Sequence, residues 1–133
     1  MVFFSSMNQA NHLHLLNSIF GHKSFRGSQE KIVLHLYNGG DCLVLMPTSA
    51  GKSLCYQIPA LMRDGVGIII SPLIALMKDQ VDNLNEMGVR AKALNSSLPF
   101  KEVLEVQKEL QRGDLDLLYI APEKLANPSF FSF

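Results

Sequence analysis

The chain has 133 residues, of which 47% are hydrophobic and 18% are charged, with 12 lysines and arginines against 12 aspartates and glutamates. This length and apolar content are enough for a folded core, which excludes a disordered tail or a collagen-like rod. The formal net charge of zero also excludes a histone-like protein that binds nucleic acid by excess positive charge, but it allows a local basic groove.

The first predicted elements are two helices and a strand. Apolar residues at helical spacing predict a helix over about residues 10–20, which Gly21 ends. A second helix runs from the N-cap residue Ser28 to Tyr37, before a glycine-rich turn. The continuous apolar run at residues 42–46 then predicts a strand that is buried on both faces, as in a parallel sheet.

Helices and strands alternate through the rest of the chain. The predicted helices cover residues 52–61, 72–87 and 97–112, with a short helix from Pro122. The predicted strands cover residues 67–70, 89–93 and 115–120. This alternation forms βαβ units, so the predicted fold class is α/β, with a mostly parallel sheet and helices on both faces. Ligands of such folds bind beyond the carboxyl ends of the strands.

A segment rich in small residues joins the first predicted strand to the next helix, with the sequence Met46-Pro47-Thr48-Ser49-Ala50-Gly51-Lys52-Ser53. Small residues let successive backbone N–H groups surround phosphate oxygens, and the N-terminus of the helix points at them. Lys52 would then reach the β- and γ-phosphates, and the Ser53 hydroxyl would bind Mg²⁺. The strict P-loop pattern requires glycine where Met46 stands, so a simple helix start with a solvated lysine is the alternative. The flanking strand and helix favour phosphate binding.

Five segments in chain order resemble motifs of the RecQ family of superfamily 2 DNA helicases. They are Leu16-x3-Phe20-Gly21-x3-Phe25-Arg26-x2-Gln29-x2-Ile32 (motif 0), Met46–Ala60 (motif I), Ile70–Val81 (motif Ia), Asn95-Ser96-Ser97 (a polar DNA-contacting segment) and Leu118–Leu125 (motif Ib). The resemblance covers about residues 13–125 and implies a RecA-like P-loop NTPase fold with three α/β/α layers.

The resemblance also implies a function, that of an ATP-dependent 3′→5′ DNA helicase that uses ATP and Mg²⁺ and acts on single-stranded or forked DNA. Arg26 and Gln29 would recognise adenine, because a guanidinium stacks on a base and an amide offers a donor beside an acceptor. The implied nucleotide-binding residues continue with Thr48, Ser49, Ala50, Gly51, Lys52 and Ser53, with Lys52 catalytic and Ser53 on the metal. The implied DNA contacts are Ser71, Pro72, Asn95, Ser96 and Ser97. Phe20 and Phe25 are expected to pack in the core.

Two departures from the family pattern qualify this picture. The family usually has glycine at the position where this chain has Ser49, and often at the position of Ala50. A Cβ at these positions disfavours a positive φ by about 1 kcal/mol, which predicts a lower affinity for ATP. The Asp-Glu-x-His of motif II does not occur in the 133 residues. We therefore expect residues 1–133 to form a partial RecA-like domain that neither hydrolyses ATP nor unwinds DNA.

The alternative function is that of a catalytically dead module that only binds nucleic acid or a partner. A third possibility, a small P-loop kinase, would leave motif 0 unexplained.

The remaining reactive residues give no further site. Cys42 and Cys55 are too few for a disulfide framework and predict two buried thiols in a reducing cytosol. The histidines lack zinc-ligand spacing and are expected on the surface or on helices; they are His12, His14, His22 and His35. No apolar run reaches the roughly 18 residues of a membrane span. The expected location is the cytoplasm, on the nucleoid in a bacterium, or the nucleus in a eukaryote.

Overall fold

The fold was analysed in a computed structural model, which describes residues 11–47 and 49–126. The chain divides after Asp64 into two compact units. The described elements of the first unit are α1 (residues 11–18), α2 (Gln29–Tyr37) and α3 (Ser49–Met62). Those of the second unit are β1 (Gly67–Ile70), α4 (Ile74–Glu86), β2 (Ala91–Leu94), α5 (Phe100–Arg112), β3 (Leu117–Ile120) and α6 (Pro122–Leu125). The mixed helix and strand content confirms the predicted α/β class.

The described part of the second unit is built on a three-stranded, all-parallel sheet with the strand order β1-β3-β2. In this register Leu118 of β3 lies between Ile68 of β1 and Lys92 of β2. The chain crosses from β1 to β2 and then returns to β3. Because parallel crossovers are almost always right-handed, two crossovers in opposite directions are expected to put α4 and α5 on opposite faces of the sheet. A small, all-parallel sheet agrees with the predicted RecA-like α/β fold class.

The central strand β3 is buried on both faces. Leu118 and Ile120 are fully buried and pack with Leu94 of β2 and Val106 of α5. A strand that helices cover on both sides requires a continuous apolar run, which β3 has. At the end of α5, Gly113 adopts a left-handed φ of 75° and closes the helix, as predicted.

Two apolar segments that were predicted as buried strands are exposed. Residues 42–46 do not form a strand, and Leu43 and Leu45 are 87% and 86% exposed. β1 does form, but it lies at the edge of the sheet and leaves Ile68 and Ile70 half-exposed. The prediction of a strand at 42–46 is therefore wrong, as is the full burial of β1. Apolar composition favours a strand, but its backbone hydrogen bonds need a partner strand, and the described residues of the first unit contain none.

The described part of the first unit packs around an apolar cluster to which α1, α2 and α3 contribute, formed by Leu16, Val33, Leu54 and Ile58. Phe20 and Phe25 are partly buried against this cluster, which confirms their predicted place in the core. Among the described residues, no helix is long and apolar enough to cross a membrane.

A salt bridge between Arg90 and Asp116 joins the chain just before β2 to the chain just before β3. The Asp116 carboxylate accepts the Arg90 backbone N–H at 2.9 Å, and Oδ1 accepts a guanidinium N–H at 2.9 Å. The side-chain hydrogen bond from Arg90 is the main cause that lowers the pKa of Asp116, with the backbone hydrogen bond adding to it. The Asp116 side chain is 28% exposed, so water screens this pair only in part.

We expect Asp116→Asn to lower the free energy of unfolding by about 1 kcal/mol at neutral pH. A carboxyl whose pKa is lowered in the fold stabilises the protein above its unfolded pKa of about 3.9, and that stability is lost as the pH falls through the folded pKa. The difference between wild type and variant should therefore shrink towards about pH 2. Urea unfolding at neutral pH and at about pH 2 measures this difference in unfolding free energy. The control is Asp82→Asn, which breaks the exposed ion pair between Asp82 and Lys78. An equal loss at both pH values would contradict the expectation.

Candidate functional site

The first unit contains a cavity of about 640 Å³ that is bounded by the start of α2, the segment 42–47 and the start of α3. Its lining includes Arg26, Gln29, Gly51 and Leu54. The volume lies within the range of small-molecule sites, which is roughly 300–1,000 Å³. The two predicted adenine-binding residues thus line the same cavity as three residues of the predicted phosphate segment, which are Met46, Pro47 and Gly51.

Gln29 connects the loop before α2 to the start of α3. Its Oε1 accepts the backbone N–H of Arg26 at 2.8 Å, and its Nε2 donates to the carbonyl oxygen of Gly51 at 3.2 Å. The Gln29 residue is only 7% exposed. A primary amide has two donor hydrogens and two acceptor lone pairs, so these two contacts leave capacity for a ligand at each end. The contact with Gly51 was not predicted, because the two residues are far apart in the sequence.

The predicted phosphate segment lies at the N-terminus of α3. Thr48 is outside the described residues. Because α3 begins at Ser49, the backbone of Ser49 and Ala50 is helical, and the predicted cost of a positive φ does not arise. The first turn of a helix leaves N–H groups without intrahelical acceptors and carries the positive end of the helix dipole. The Lys52 side chain is exposed, and that of Ser53 is half-buried. This helix start has the donors and the charge that a phosphate group requires.

The residue predicted to bind Mg²⁺ is Ser53, near the start of α3. Within residues 11–47 and 49–126, no three His, Cys, Asp or Glu side chains form a cluster that would hold a metal ion. Mg²⁺ commonly binds through phosphate oxygens, water and only one or two protein oxygens. Ser53 is half-buried in α3, and its hydroxyl is the oxygen that was predicted for this role.

Cys42 differs from expectation, whereas His12 lies on a helix as expected. Cys55 is buried, as predicted, but Cys42 is exposed, and both are free thiols. Burial, and to a smaller extent Cys42, raises the pKa of Cys55, so this thiol stays protonated at neutral pH. His12 lies on α1, which agrees with the expected surface or helix positions; it is 5% exposed, and its ring stacks on Phe25 with the ring centres 5.5 Å apart. His12 therefore belongs to the packing beneath the loop that carries Arg26.

The predicted DNA-contacting segments of the second unit meet at one edge of the sheet. β1, β2 and β3 end in register, so Ser71, Asn95 and Ala121 follow them at the same level. The Ser71 N–H donates to Ile120 O at 3.1 Å, and the Ala121 N–H donates to Leu94 O at 2.8 Å. This is the carboxyl edge, where ligands of parallel α/β folds bind.

Asn95 shapes the loop that follows β2. Its side chain is buried, and its Oδ1 accepts the Ser97 N–H at 2.9 Å and also the Ser97 hydroxyl. Ser96, Ser97 and Pro72 are exposed, and Ser71 is half-buried. Among the predicted DNA contacts, the exposed residues therefore offer surface for a ligand, whereas Asn95 holds the loop.

Glu123 is a residue of this edge to which the sequence assigned no role. Its own backbone N–H, together with the N–H and the hydroxyl of Ser96, lowers the pKa of its exposed carboxyl. Glu123 lies inside the segment that resembles motif Ib, but its proximity to Ser96 depends on how α6 meets the loop after β2.

Comparisons with known proteins agree with the five motifs. Residues 26–131 match the DEAD/DEAH box helicase family. The chain is 53% identical over 119 residues to the ATP-dependent DNA helicase RecQ of Haemophilus influenzae, which covers 90% of the chain and 19% of that protein. It is 45% identical over 119 residues to the ATP-dependent DNA helicase RecQ of Bacillus subtilis, and this match covers 87% of the chain and 20% of that protein. It is also 46% identical to the ATP-dependent DNA helicase Q5 of Mus musculus, and this match covers 86% of the chain and 12% of that protein. The chain thus spans about a fifth or less of the length of these curated relatives. It belongs to the DEAD/DEAH box helicase family, in the RecQ branch that its five motifs indicate.

Proposed function

We propose that this chain supplies the ATP-binding part, and some of the single-stranded-DNA contacts, of a 3′→5′ DNA helicase that acts in DNA unwinding, recombination and repair. The observation that carries the proposal is the Gln29 side chain, which joins Arg26 to Gly51 at the wall of one cavity. That arrangement suits a ligand with a flat polar base at one end and phosphates at the other.

The proposed nucleotide lies with its adenine at Arg26 and Gln29 and its phosphates at the start of α3. The guanidinium of Arg26 is exposed and can stack on the base, while the spare hydrogen-bonding capacity of Gln29 suits the edge of adenine. The exposed Lys52 ammonium reaches the β- and γ-phosphates, and Ser53 contributes an oxygen to the Mg²⁺ ion that accompanies them. Each group supplies a different part of the recognition of ATP·Mg²⁺.

A titration of the 133-residue chain with a fluorescent ATP analogue, displaced by ATP and by GTP, tests this proposal. We expect saturable binding that ATP displaces better than GTP. The second candidate function is a module without nucleotide, which binds only nucleic acid or a protein, and the exposed segment 42–46 is the observation in its favour. The absence of saturable binding at millimolar nucleotide would support that candidate and contradict ours.

Gln29→Ala should weaken ATP binding about tenfold and reduce the preference for ATP over GTP, because it removes a contact with the base. It also leaves the carbonyl oxygen of Gly51 and the N–H of Arg26 without their side-chain hydrogen-bond partner. Displacement titrations with both nucleotides measure the two effects. Lys31→Ala, an exposed change on the same helix, is the control and should leave both affinities within about twofold. An unchanged ratio of ATP to GTP affinity in Gln29→Ala would limit Gln29 to a structural role.

The proposed DNA contact lies at the carboxyl edge of the sheet. Exposed hydroxyls and backbone N–H groups, such as those of Ser96, bind phosphate oxygens without reading the base sequence. A fluorescein-labelled single strand, followed by anisotropy at several salt concentrations, tests this contact. We expect weak binding that is independent of sequence and declines with salt.

A further inference from the structure

His12 of α1 contacts both ends of the turn that carries the two proposed adenine-binding residues. Its buried ring stacks on Phe25, with an interplanar angle of 23° and the ring centres 5.5 Å apart. Its Nε2 also lies 3.5 Å from Oε2 of Glu30. Phe25 directly precedes Arg26, and Glu30 directly follows Gln29. The two contacts of His12 therefore fall on the residues that flank the turn.

The turn itself is closed by two hydrogen bonds between Arg26 and Gln29. The Arg26 N–H donates to the Gln29 side chain at 2.8 Å, and the Gln29 N–H donates to the Arg26 carbonyl oxygen at 3.1 Å. Gln29 attaches this turn to α3 through the carbonyl oxygen of Gly51, and His12 attaches it to α1. Each attachment reduces the number of orientations in which the turn can present its side chains.

The chemistry of the imidazole suits this attachment better than that of an aliphatic side chain. A leucine would fill the same apolar space, but an imidazole also offers a flat face to Phe25 and a ring nitrogen to Glu30. A loop that must be ordered when its ligand arrives loses affinity, so a contact that holds the loop in the free protein raises affinity. A guanidinium and an amide recognise one base together only when both are correctly oriented.

We propose that His12 is a positioning residue for the recognition of adenine, which holds the turn so that Arg26 and Gln29 meet the base together. The inference rests on the proposed nucleotide site and adds a residue of α1 to it. His12 acts through Phe25 and Glu30 and does not touch the nucleotide. Its effect therefore concerns the base and leaves the phosphates at the start of α3 unaffected.

Paired titrations with ATP and with inorganic tripolyphosphate test the proposal, because tripolyphosphate has the phosphates of ATP without the base. Both compounds are used to displace the fluorescent ATP analogue. His12→Leu, which keeps an apolar side chain but removes the flat ring, should lower the affinity for ATP about three- to tenfold. Its affinity for tripolyphosphate should change by less than about twofold, since the start of α3 keeps its contacts.

Two further variants examine the two contacts separately. His12→Phe keeps a ring that can stack on Phe25, so it should recover most of the lost affinity for ATP. Glu30→Ala removes the other contact at an exposed side chain and should lower the affinity for ATP about two- to threefold. His14→Ala is the matched control, because His14 is an exposed histidine on the same helix, and it should change neither affinity by more than about 1.5-fold.

The results separate a failure of this inference from a failure of the nucleotide site. The inference is overturned while the site stands if wild type binds ATP and His12→Leu binds it equally well. Equal losses for ATP and tripolyphosphate, or a loss that His12→Phe does not recover, also overturn it in favour of general packing. If wild type does not bind ATP, both are wrong. Circular dichroism verifies folding, and if His12→Leu does not fold, Glu30→Ala decides by the same comparison of ATP with tripolyphosphate.

Discussion

Lys52→Ala is expected to weaken the binding of ATP by about ten- to hundredfold, because hydrogen bonds to charged groups contribute roughly 1.5–3 kcal/mol. Lys52 lies at the start of α3, where the N–H groups of the first turn and the helix dipole also favour an anion. Its side chain is exposed, so its removal should leave the stability of the first unit unchanged. Displacement of a fluorescent ATP analogue by unlabelled ATP measures the loss.

Lys31→Ala separates a specific phosphate contact from a change in net charge. Lys31 is an exposed lysine on α2 in the same unit, and its removal lowers the charge of the chain by the same amount. We expect its effect on ATP affinity to stay below about twofold, since exposed charges are screened by salt over roughly 10 Å. Equal losses in the two variants would show that Lys52 acts through net charge alone, contrary to the proposed phosphate contact.

Leu118→Ala is expected to lower the free energy of unfolding of the second unit by about 2–5 kcal/mol, the range for a leucine truncated in a packed core. Leu118 is fully buried at the centre of the sheet, where it packs in the cluster with Leu94, Ile120 and Val106. The cavity that remains is enclosed by the neighbouring strands and α5, so it can close only in part. Urea unfolding followed by circular dichroism measures the change.

Ile68→Ala is the control for this change because Ile68 pairs with Leu118 across the sheet but lies on the edge strand. Ile68 is 49% exposed, so its truncation removes less buried surface and should cost about 1 kcal/mol or less. If Ile68→Ala costs as much as Leu118→Ala, the exposed face of β1 must be covered in solution, and the edge position described above would be contradicted.

The elements that the sequence predicts best are those whose signals are local. The apolar run of β3 and the helical periodicity before Gly113 each lie within one element, and both elements form close to their predicted bounds. The helix that carries Lys52 was also predicted, although it begins three residues earlier, at Ser49. That earlier start changes the chemistry, because helical backbone at Ser49 and Ala50 removes the predicted strain.

The features that the sequence does not reveal depend on residues that are distant in the chain. The run at 42–46 has the composition of a buried strand, but composition cannot supply the neighbouring strand that its backbone requires. The sequence likewise identifies Gln29 through its motif, but not its contact with Gly51. That contact forms only when the helices of two separate motifs meet.

An NMR titration of the ¹⁵N-labelled chain with ATP and Mg²⁺ tests the nucleotide site most directly, because each backbone amide reports on its own surroundings. We predict saturable shifts at Arg26–Gln29 and Gly51–Ser53, with smaller shifts at the same amides for GTP. Shifts that are confined to the second unit, or no saturable shifts at millimolar ATP, would contradict a nucleotide site between the start of α2 and the start of α3.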